Sequence, residues 1–315
     1  MLPPQRVCVL LGGNSAEREI SLLTGRAVAE GLIAGGHLVT LLDPSEAPLS
    51  QLLTMRCDLV FLGLHGTFGE DGQIQRQLDA LNIPYTGSGA LASELAFHKQ
   101  AAKLRFQSAG LPTPTGVMIA SDSCRKTLAA QGRRIGYPLV VKPEAQGSSL
   151  GVSIVRREQD LFPAIELAAQ FDERLLLEQA ISGEDWTVPV LDGTPLPPIR
   201  ITTSQPFFTY DAKYQSEETK YEVVADAGNP LHRTTQELAI AACESLNCCG
   251  LCRVDLIVDR AGKSWILEVN TLPGLTTHSL VPKSAGSLGW SMTRLTEEIL
   301  SSALQSSKER LSRAS

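Results

Sequence analysis

The chain has 315 residues, 43% of them hydrophobic and 20% charged, with a formal net charge of −6. That length suits two or three packed units better than one core. The mild acidity argues against a general nucleic-acid surface, which would be basic, but allows a local group of lysines to bind a small anion.

The start, Met1-Leu-Pro-Pro-Gln-Arg6, lacks a signal peptide's long apolar stretch, and residues 7–11 are too short to be one. No apolar run is long enough to cross a bilayer. Seven cysteines cannot all pair, and they read as reduced thiols of a cytoplasmic protein. Cys248-Cys249-Gly-Leu-Cys252, with Cys243 nearby, lacks the second ligand pair of a zinc site. It reads as small buried hydrophobes leading into a strand.

In chain order, residues 7–11 predict a short strand ending in Gly12-Gly13, followed by a helix over 19–33. A second strand at 59–64, a helix at 73–81 and a third strand at 83–85 follow. Strand and helix in alternation imply a parallel sheet with crossover helices. This first unit ends near Gly87-Ser88-Gly89. One helix is expected over 90–109, stopping at Gly110, and Leu111-Pro-Thr-Pro114 is a stiff connector. Strands at 137–143 and 152–155 enclose a Gly/Ser loop at 147–151, and a helix at 161–170 leads to a strand at 175–178. Further strands are expected at 186–190 and 198–202. Residues 205–227 are polar, aromatic and charged, long for a loop in a compact domain, and such segments are often lids. A helix at 235–246 precedes a hairpin, and the polar tail at 302–315 is expected to fray.

The hairpin carries the clearest chemistry. Residues 253–259 and 265–270 both alternate, with Ala261-Gly262 as a tight-turn candidate. If that dipeptide is the loop, Arg260 pairs with Lys263, Asp255 faces Glu268 and Arg253 faces Asn270. These last four then share one face, and Val254, Leu256, Leu267 and Val269 turn to the core. Two carboxylates opposed across strands repel and call for a cation between them. Oxygen ligands without a nearby thiolate or imidazole favour Mg²⁺ or Mn²⁺. A solvated polar face, with Arg253 neutralising the acids, also fits the pattern. Upstream, Lys142 precedes Gly147-Ser-Ser-Leu-Gly151. Small residues let backbone N–H groups approach phosphate, and the lysine supplies charge. An ordinary turn fits equally well, and the loop is not a Walker-type P-loop. Glu178 and Asp185 could accept hydrogen bonds from adenine or ribose, or simply be surface acids. Lys99 on its helix is equally ambiguous.

Together these residues resemble the ATP-grasp superfamily, and within it the D-alanine–D-alanine ligases. The resemblance runs through nearly the whole chain in ordered blocks. They are Leu11-Gly-Gly-Asn-Ser-Ala-Glu-Arg-Glu19, Leu64-His-Gly66 with Gly69-Glu-Asp-Gly72, and Pro84-Tyr-Thr-Gly-Ser-Gly89. Then come Val141-Lys-Pro143 with Gly147-Ser-Ser149, and Tyr210-Asp-Ala-Lys-Tyr214. The last are Gly250-Leu-Cys-Arg-Val-Asp255 and Glu268-Val-Asn-Thr-Leu-Pro-Gly274 with His278-Ser-Leu280.

The resemblance implies an α/β ATP-grasp fold: an N-terminal parallel α/β domain (1–88) and two α+β subdomains (89–181 and 182–315) clasping ATP. It implies that ATP phosphorylates one D-alanine and that a second displaces the phosphate, for peptidoglycan precursor synthesis. Asp255, Glu268 and Asn270 match the ligands of two Mg²⁺ (or Mn²⁺) ions. Lys99, Lys142 and Lys213 match phosphate-binding lysines. Glu178, with Gln179, Ala180 and Ile181 after it and Asp185 beyond, matches the adenine and ribose region. Glu17 matches the carboxylate that binds the first substrate's ammonium, held by Ser148 and Tyr214. Arg253 and the Gly274 N–H match an oxyanion site, Ser279 and Leu280 a carboxylate pocket, and His65 a position near the substrates. Residues 205–227 resemble a mobile omega loop. The family usually has Glu where Asp185 stands, and Gln179-Ala180 replace residues often charged and aromatic. The implied partners are ATP and D-alanine, with no nucleic acid and no membrane, in a cytoplasmic homodimer built through the first unit. The alternatives are a ligase joining D-alanine to D-lactate, against which Tyr214 counts, another ATP-grasp amino-acid ligase, against which the Glu17 and Ser279 blocks count, and a non-catalytic ATP-binding regulator, against which Asp255, Glu268, Asn270, Lys142 and Arg253 together count.

Overall fold

The computed structural model describes residues 2–203, 219–226 and 228–314, with 307–314 as helical backbone only. The first unit is built on β1 (Arg6–Leu10), β2 (Leu38–Leu42) and β3 (Leu59–Leu62), all parallel in the order β2-β1-β3. Helix Arg18–Ala34 connects β1 to β2, and helix Gln73–Ala80 follows β3. Central β1 is buried from Val7 to Leu10, as a parallel strand covered on both faces must be. The expected third strand at 83–85 contributes only an isolated parallel bridge, Val60 with Tyr85. The chain turns away at once through Gly87, whose φ is +89°. Strand β2 had no prediction. It is an edge strand with Leu38 and Leu41 exposed, so it lacks the alternation that marks a half-buried strand.

The middle unit has β4 (Gly116–Ala120), β5 (Leu139–Pro143), β6 (Ser153–Val155) and β7 (Arg174–Gln179), antiparallel in the order β4-β7-β5-β6. Helices Arg125–Ile135 and Leu161–Ala168 cover one face, and Leu139, Val141, Leu175 and Leu177 meet Leu128, Leu161 and Ile165 there. Because side chains alternate along a strand, Val140, Lys142 and Glu178 are left to line a cavity on the opposite face.

The third sheet takes β8 (Gly183–Leu191), β10 (Ile199–Thr202), β11 (Lys220–Val223), β12 (Leu251–Asp259) and β13 (Ser264–Asn270) in the order β11-β10-β8-β12-β13, with β9 (Thr194–Pro195) on β8. Residues 220–223 were expected to be loop. They form β11, with Lys220 to Val223 paired against Thr202 to Ile199. Helix Pro230–Ser245 packs on this sheet and starts earlier than periodicity suggested. Asn229 Oδ1 accepts from Leu231 N at 3.0 Å and Pro230 occupies the first turn, a strong start signal. The tail expected to fray is helix from Met292 to Ala314. It packs on helix Arg18–Ala34 so closely that a Cβ on Gly31 would lie 2.9 Å from Thr296 Oγ1.

In the β12–β13 hairpin, Asp255 faces Glu268 and Arg253 faces Asn270, as the count from the turn required. The route differs. The loop is Arg260-Ala261-Gly262, closed by Asp259 N to Lys263 O at 2.9 Å, with Gly262 at φ +80°. That shifts the pairing by one, to Leu256 with Ile266, and a bulge at Leu267 shifts it back. The core face is therefore Val254, Leu256, Ile266 and Val269, each at most 3% exposed, while Leu267 lines the cavity instead. Burying four such side chains contributes about 1.5–3 kcal/mol each. Opposed like charges on a sheet cost only about 0.2–1 kcal/mol. Packing thus holds Asp255 and Glu268 face to face.

Candidate active site

Two cavities, about 180 Å³ and about 260 Å³, lie back to back and share Lys99, Gln146, Gly147 and Glu268 in their common wall. The first runs between the middle and third sheets. Its walls include the apolar Val140, Ile154, Trp186, Leu256 and Leu267, and also Gln179, Ala180, Ile181 and Asp185. Apolar walls with a few polar groups suit a nucleobase and its ribose.

Lys99, Lys142 and Glu178 line the same cavity. Glu178 is buried to 3% exposure between two ammonium groups, with Lys142 Nζ 2.5 Å from Oε1 and Lys103 Nζ 2.8 Å from Oε2. Burial alone would raise this carboxyl's pKa, but the two lysines together hold it below the ordinary carboxylate range. Lys103 also donates to Thr113 Oγ1 at 3.0 Å, and Thr113 donates to the Ile266 carbonyl at 2.9 Å. Burial pulls the Lys99 ammonium down from its ordinary value, with Lys142 acting in the same direction and Glu268, Glu144 and Glu178 against it. Its Nζ donates to Gln146 O at 2.5 Å. Lys99 and Lys142 present ammonium groups to this cavity that could bind phosphate, with Lys103 paired to Glu178 beside them.

The hairpin closes the wall between the cavities. Asp255 faces the first, Arg253 and Asn270 the second, and Glu268 both. Arg253 grips Asp255 with Nε to Oδ1 and Nη2 to Oδ2, both at 2.8 Å, and Thr187 donates to Oδ1 at 2.6 Å. Oδ1 thus accepts two hydrogen bonds. Among the described residues, no group of three or more acids, histidines or cysteines is arranged to hold a metal alone. Two carboxylates and a carboxamide, all oxygen donors beside a phosphate-sized space, fit Mg²⁺, which is usually completed by substrate phosphates and water.

The second cavity is organised around Glu17. Ser148 donates to Glu17 Oε1. The carboxylate is flanked by Gly66 and Gly147, where an added Cβ would lie 2.7 Å and 2.8 Å from Glu17 Oε2. Ser148 itself sits in the left-handed region at φ 52°, an unusual conformation that aims its hydroxyl at Glu17. Behind them, His65 Nε2 is 2.9 Å from Thr24 Oγ1 and Nδ1 is 3.4 Å from Glu70 Oε1. Burial pushes the Glu70 carboxyl up from its ordinary value, and Glu17 adds to the rise. At the far end are Gly274, Thr276, Ser279 and Leu280. Ser279 is the N-cap of helix Leu280–Ser287. The first N–H groups of a helix have no carbonyl partner within it, so they favour an anion there.

Residues 105–301 match the family described as D-ala D-ala ligase C-terminus, and residues 43–88 match D-ala D-ala ligase N-terminus. The chain belongs to the D-alanine–D-alanine ligase family. It is 42% identical over 299 residues to a D-alanine–D-alanine ligase of Pseudomonas entomophila, covering 95% of this chain and 93% of that one. It is 44% identical over 295 residues to one of Nitrosomonas europaea, covering 94% and 96%. Among solved structures, the Bacillus anthracis D-alanine–D-alanine ligase complexed with ATP superposes with a TM-score of 0.84 at 31% identity, covering 97% of this chain and 99% of that one.

Within this ligase family member, every expected site residue that is described lines one of the two cavities. Lys213 and Tyr214, with most of the omega-loop segment, lie outside the described residues. Sequence reasoning missed four groups near the site. Lys103 carries the usual helix-surface ambiguity of a lysine. Glu70 lay inside a quoted block but had no role assigned. Gln146 supplies only a backbone carbonyl to Lys99. Tyr221, on β11, lines the second cavity beneath Lys283, whose Nζ is 5.5 Å from the ring centre.

Proposed function

We propose that the chain joins two D-alanine molecules to D-alanyl-D-alanine with ATP, giving ADP and phosphate, for peptidoglycan precursor synthesis. The observation that carries this is the pair of cavities sharing Lys99, Gln146, Gly147 and Glu268. A nucleotide in one can present its terminal phosphate to a carboxylate in the other, with water kept from a reactive intermediate.

In this reading Glu17 receives the ammonium of the first D-alanine, with Ser148 and Tyr214 holding Glu17 and His65 nearby. A carboxylate oxygen of that D-alanine bonds to the γ-phosphorus as the phosphorus–oxygen bond to ADP breaks. Lys99, Lys142 and Lys213 bind the phosphates while charge redistributes. Bound Mg²⁺, or Mn²⁺, neutralises phosphate charge, and Asp255, Glu268 and Asn270 would hold the two ions. The amine of the second D-alanine bonds to the acyl carbon and loses a proton, and the carbon–oxygen bond to phosphate breaks. Arg253 and the Gly274 N–H meet the negative charge on the tetrahedral oxygen, the placement that usually gives the largest catalytic effect. Ser279 and Leu280 receive the second carboxylate.

We further infer the partition 1–88, 89–181 and 182–315, a cytoplasmic location, and a homodimer through the first unit. No helix among the described residues is long and apolar enough to cross a membrane. The test is phosphate release with ATP and Mg²⁺ on addition of D-alanine, D-lactate or L-alanine. Release that depends on D-alanine alone is expected. Release indifferent to D-alanine sinks the reading, and equal use of D-lactate as second substrate replaces it with the depsipeptide reaction.

A further inference from the structure

Residues 90–109 were expected to form one helix, yet the chain breaks at His98, with φ −83° and ψ 99°, and restarts at Lys99. His98 occupies the N-cap position of the second helix, Lys99–Ser108, and its side chain makes no cap hydrogen bond. The cap comes from another part of the chain. Glu144, immediately past β5, accepts Lys99 N on its carbonyl at 3.3 Å and Gln100 N on Oε1 at 3.4 Å. Its Oε2 lies 2.7 Å from His98 Nδ1 and 3.3 Å from Arg174 Nη2. The residue is 1% exposed. The carboxylate satisfies the Gln100 N–H and the carbonyl the Lys99 N–H, two groups that the helix itself cannot, and together they fix the helix end in position and direction.

What the helix end carries is Lys99. Its ammonium crosses to Gln146 O at 2.5 Å, so Glu144 holds its backbone while Gln146, two residues further on, holds its tip. Lys142 lies two residues before Glu144 on the same segment. One short stretch of chain thus sets the spacing between two lysines that line the nucleotide cavity.

We propose that Glu144 is a positioning residue for the ligase reaction. It creates the helix break at His98 and so aims Lys99 at the phosphoryl group in transfer. The proposal rests on the reading of Lys99 as a phosphate ligand. A plain helix cap would affect stability and disturb both substrates alike, whereas a residue acting through Lys99 affects the nucleotide.

The experiment is a double-mutant cycle on the full chain, with steady-state phosphate release and thermal unfolding measured for Glu144→Ala, Lys99→Met and the pair. Glu144→Ala is expected to lower kcat/KM for ATP about 10- to 100-fold, the range for losing charge-assisted hydrogen bonds and displacing a phosphate ligand. The KM for D-alanine should stay within about threefold, since groups that the reading places elsewhere bind it. The double variant should be no worse than Lys99→Met alone. Glu144→Gln, which keeps an acceptor for Gln100 N, is expected to lose about 3- to 10-fold in the same parameter. It carries the cycle by itself if Glu144→Ala fails to fold. Multiplying losses in the double variant, an equal rise in the D-alanine KM, or unchanged ATP kinetics at Glu144 overturns the proposal and leaves the role of Lys99 standing. Wild-type ATP kinetics in Lys99→Met overturns the assignment of Lys99 itself, and this proposal with it.

Discussion

Lys103→Met should destabilise the protein more than any surface change, because it strands half of a buried charge pair. Glu178 and Lys103 are 3% and 2% exposed, and 2.8 Å separates Oε2 from Nζ. Breaking a buried pair from one side costs about 3–5 kcal/mol. Lys142 remains on Oε1, which argues for the lower end, about 3 kcal/mol. At about 2–4 °C per kcal/mol this is a fall of about 6–12 °C in Tm. The pH dependence gives a second, independent handle. Glu178 is held below the ordinary carboxylate range, so its contribution is fully present above an unfolded pKa of about 4.3. It is lost as pH falls through the lowered folded value. Without Lys103 the folded pKa rises, so the variant gains less stability between acid and neutral pH. Its deficit should be largest near neutrality and narrow on acidification. Urea unfolding followed by the fluorescence of the tryptophans, with Trp186 only 2% exposed, measures both. A deficit under about 1 kcal/mol, the value of a surface ion pair, refutes the reasoning.

Three other outcomes are expected. Glu268→Gln should abolish phosphate release while leaving the melting temperature within a few degrees, and normal activity would remove the hairpin from the mechanism. Gly147→Ala puts a Cβ 2.8 Å from Glu17 Oε2, closer than real Cβ contacts. Displacing Glu17 should raise the KM for D-alanine about tenfold or more, measured against the KM for ATP as reference. Tyr214→Phe should increase the use of D-lactate relative to D-alanine in product analysis, and an unchanged ratio would count against its place beside Glu17.

The hairpin shows how far the residues alone could be read. Alternation on both arms located the shared face of Arg253, Asp255, Glu268 and Asn270, because side chains on a regular strand alternate between its faces. The turn did not yield so simply. Ala261-Gly262 suggested a two-residue loop, but the Asp259 side chain accepts from Ala261 N and Lys263 N at 2.9 Å and 3.0 Å and organises a longer one. The bulge that restores the register exchanged Ile266 for Leu267 in the core, a change with no local signature. Helix 90–109 failed for a related reason. Its residues all tolerate helix, and the carboxylate that breaks it arrives from residue 144. Lys103 was hidden because a buried lysine differs from a solvated one only in what surrounds it. Contacts distant in sequence decided the helix break and the burial of Lys103.

In the proposed reaction a carboxylate in one cavity takes the phosphoryl group from a nucleotide in the other. It can be followed atom by atom with D-alanine whose carboxylate oxygens are ¹⁸O. If the acyl phosphate forms and the second amine displaces it, each phosphate released carries one ¹⁸O atom and the new peptide carbonyl keeps the other, as mass spectrometry of both products would show. Unlabelled phosphate released alongside dipeptide would contradict it, because the carboxylate would then never have bonded to phosphorus.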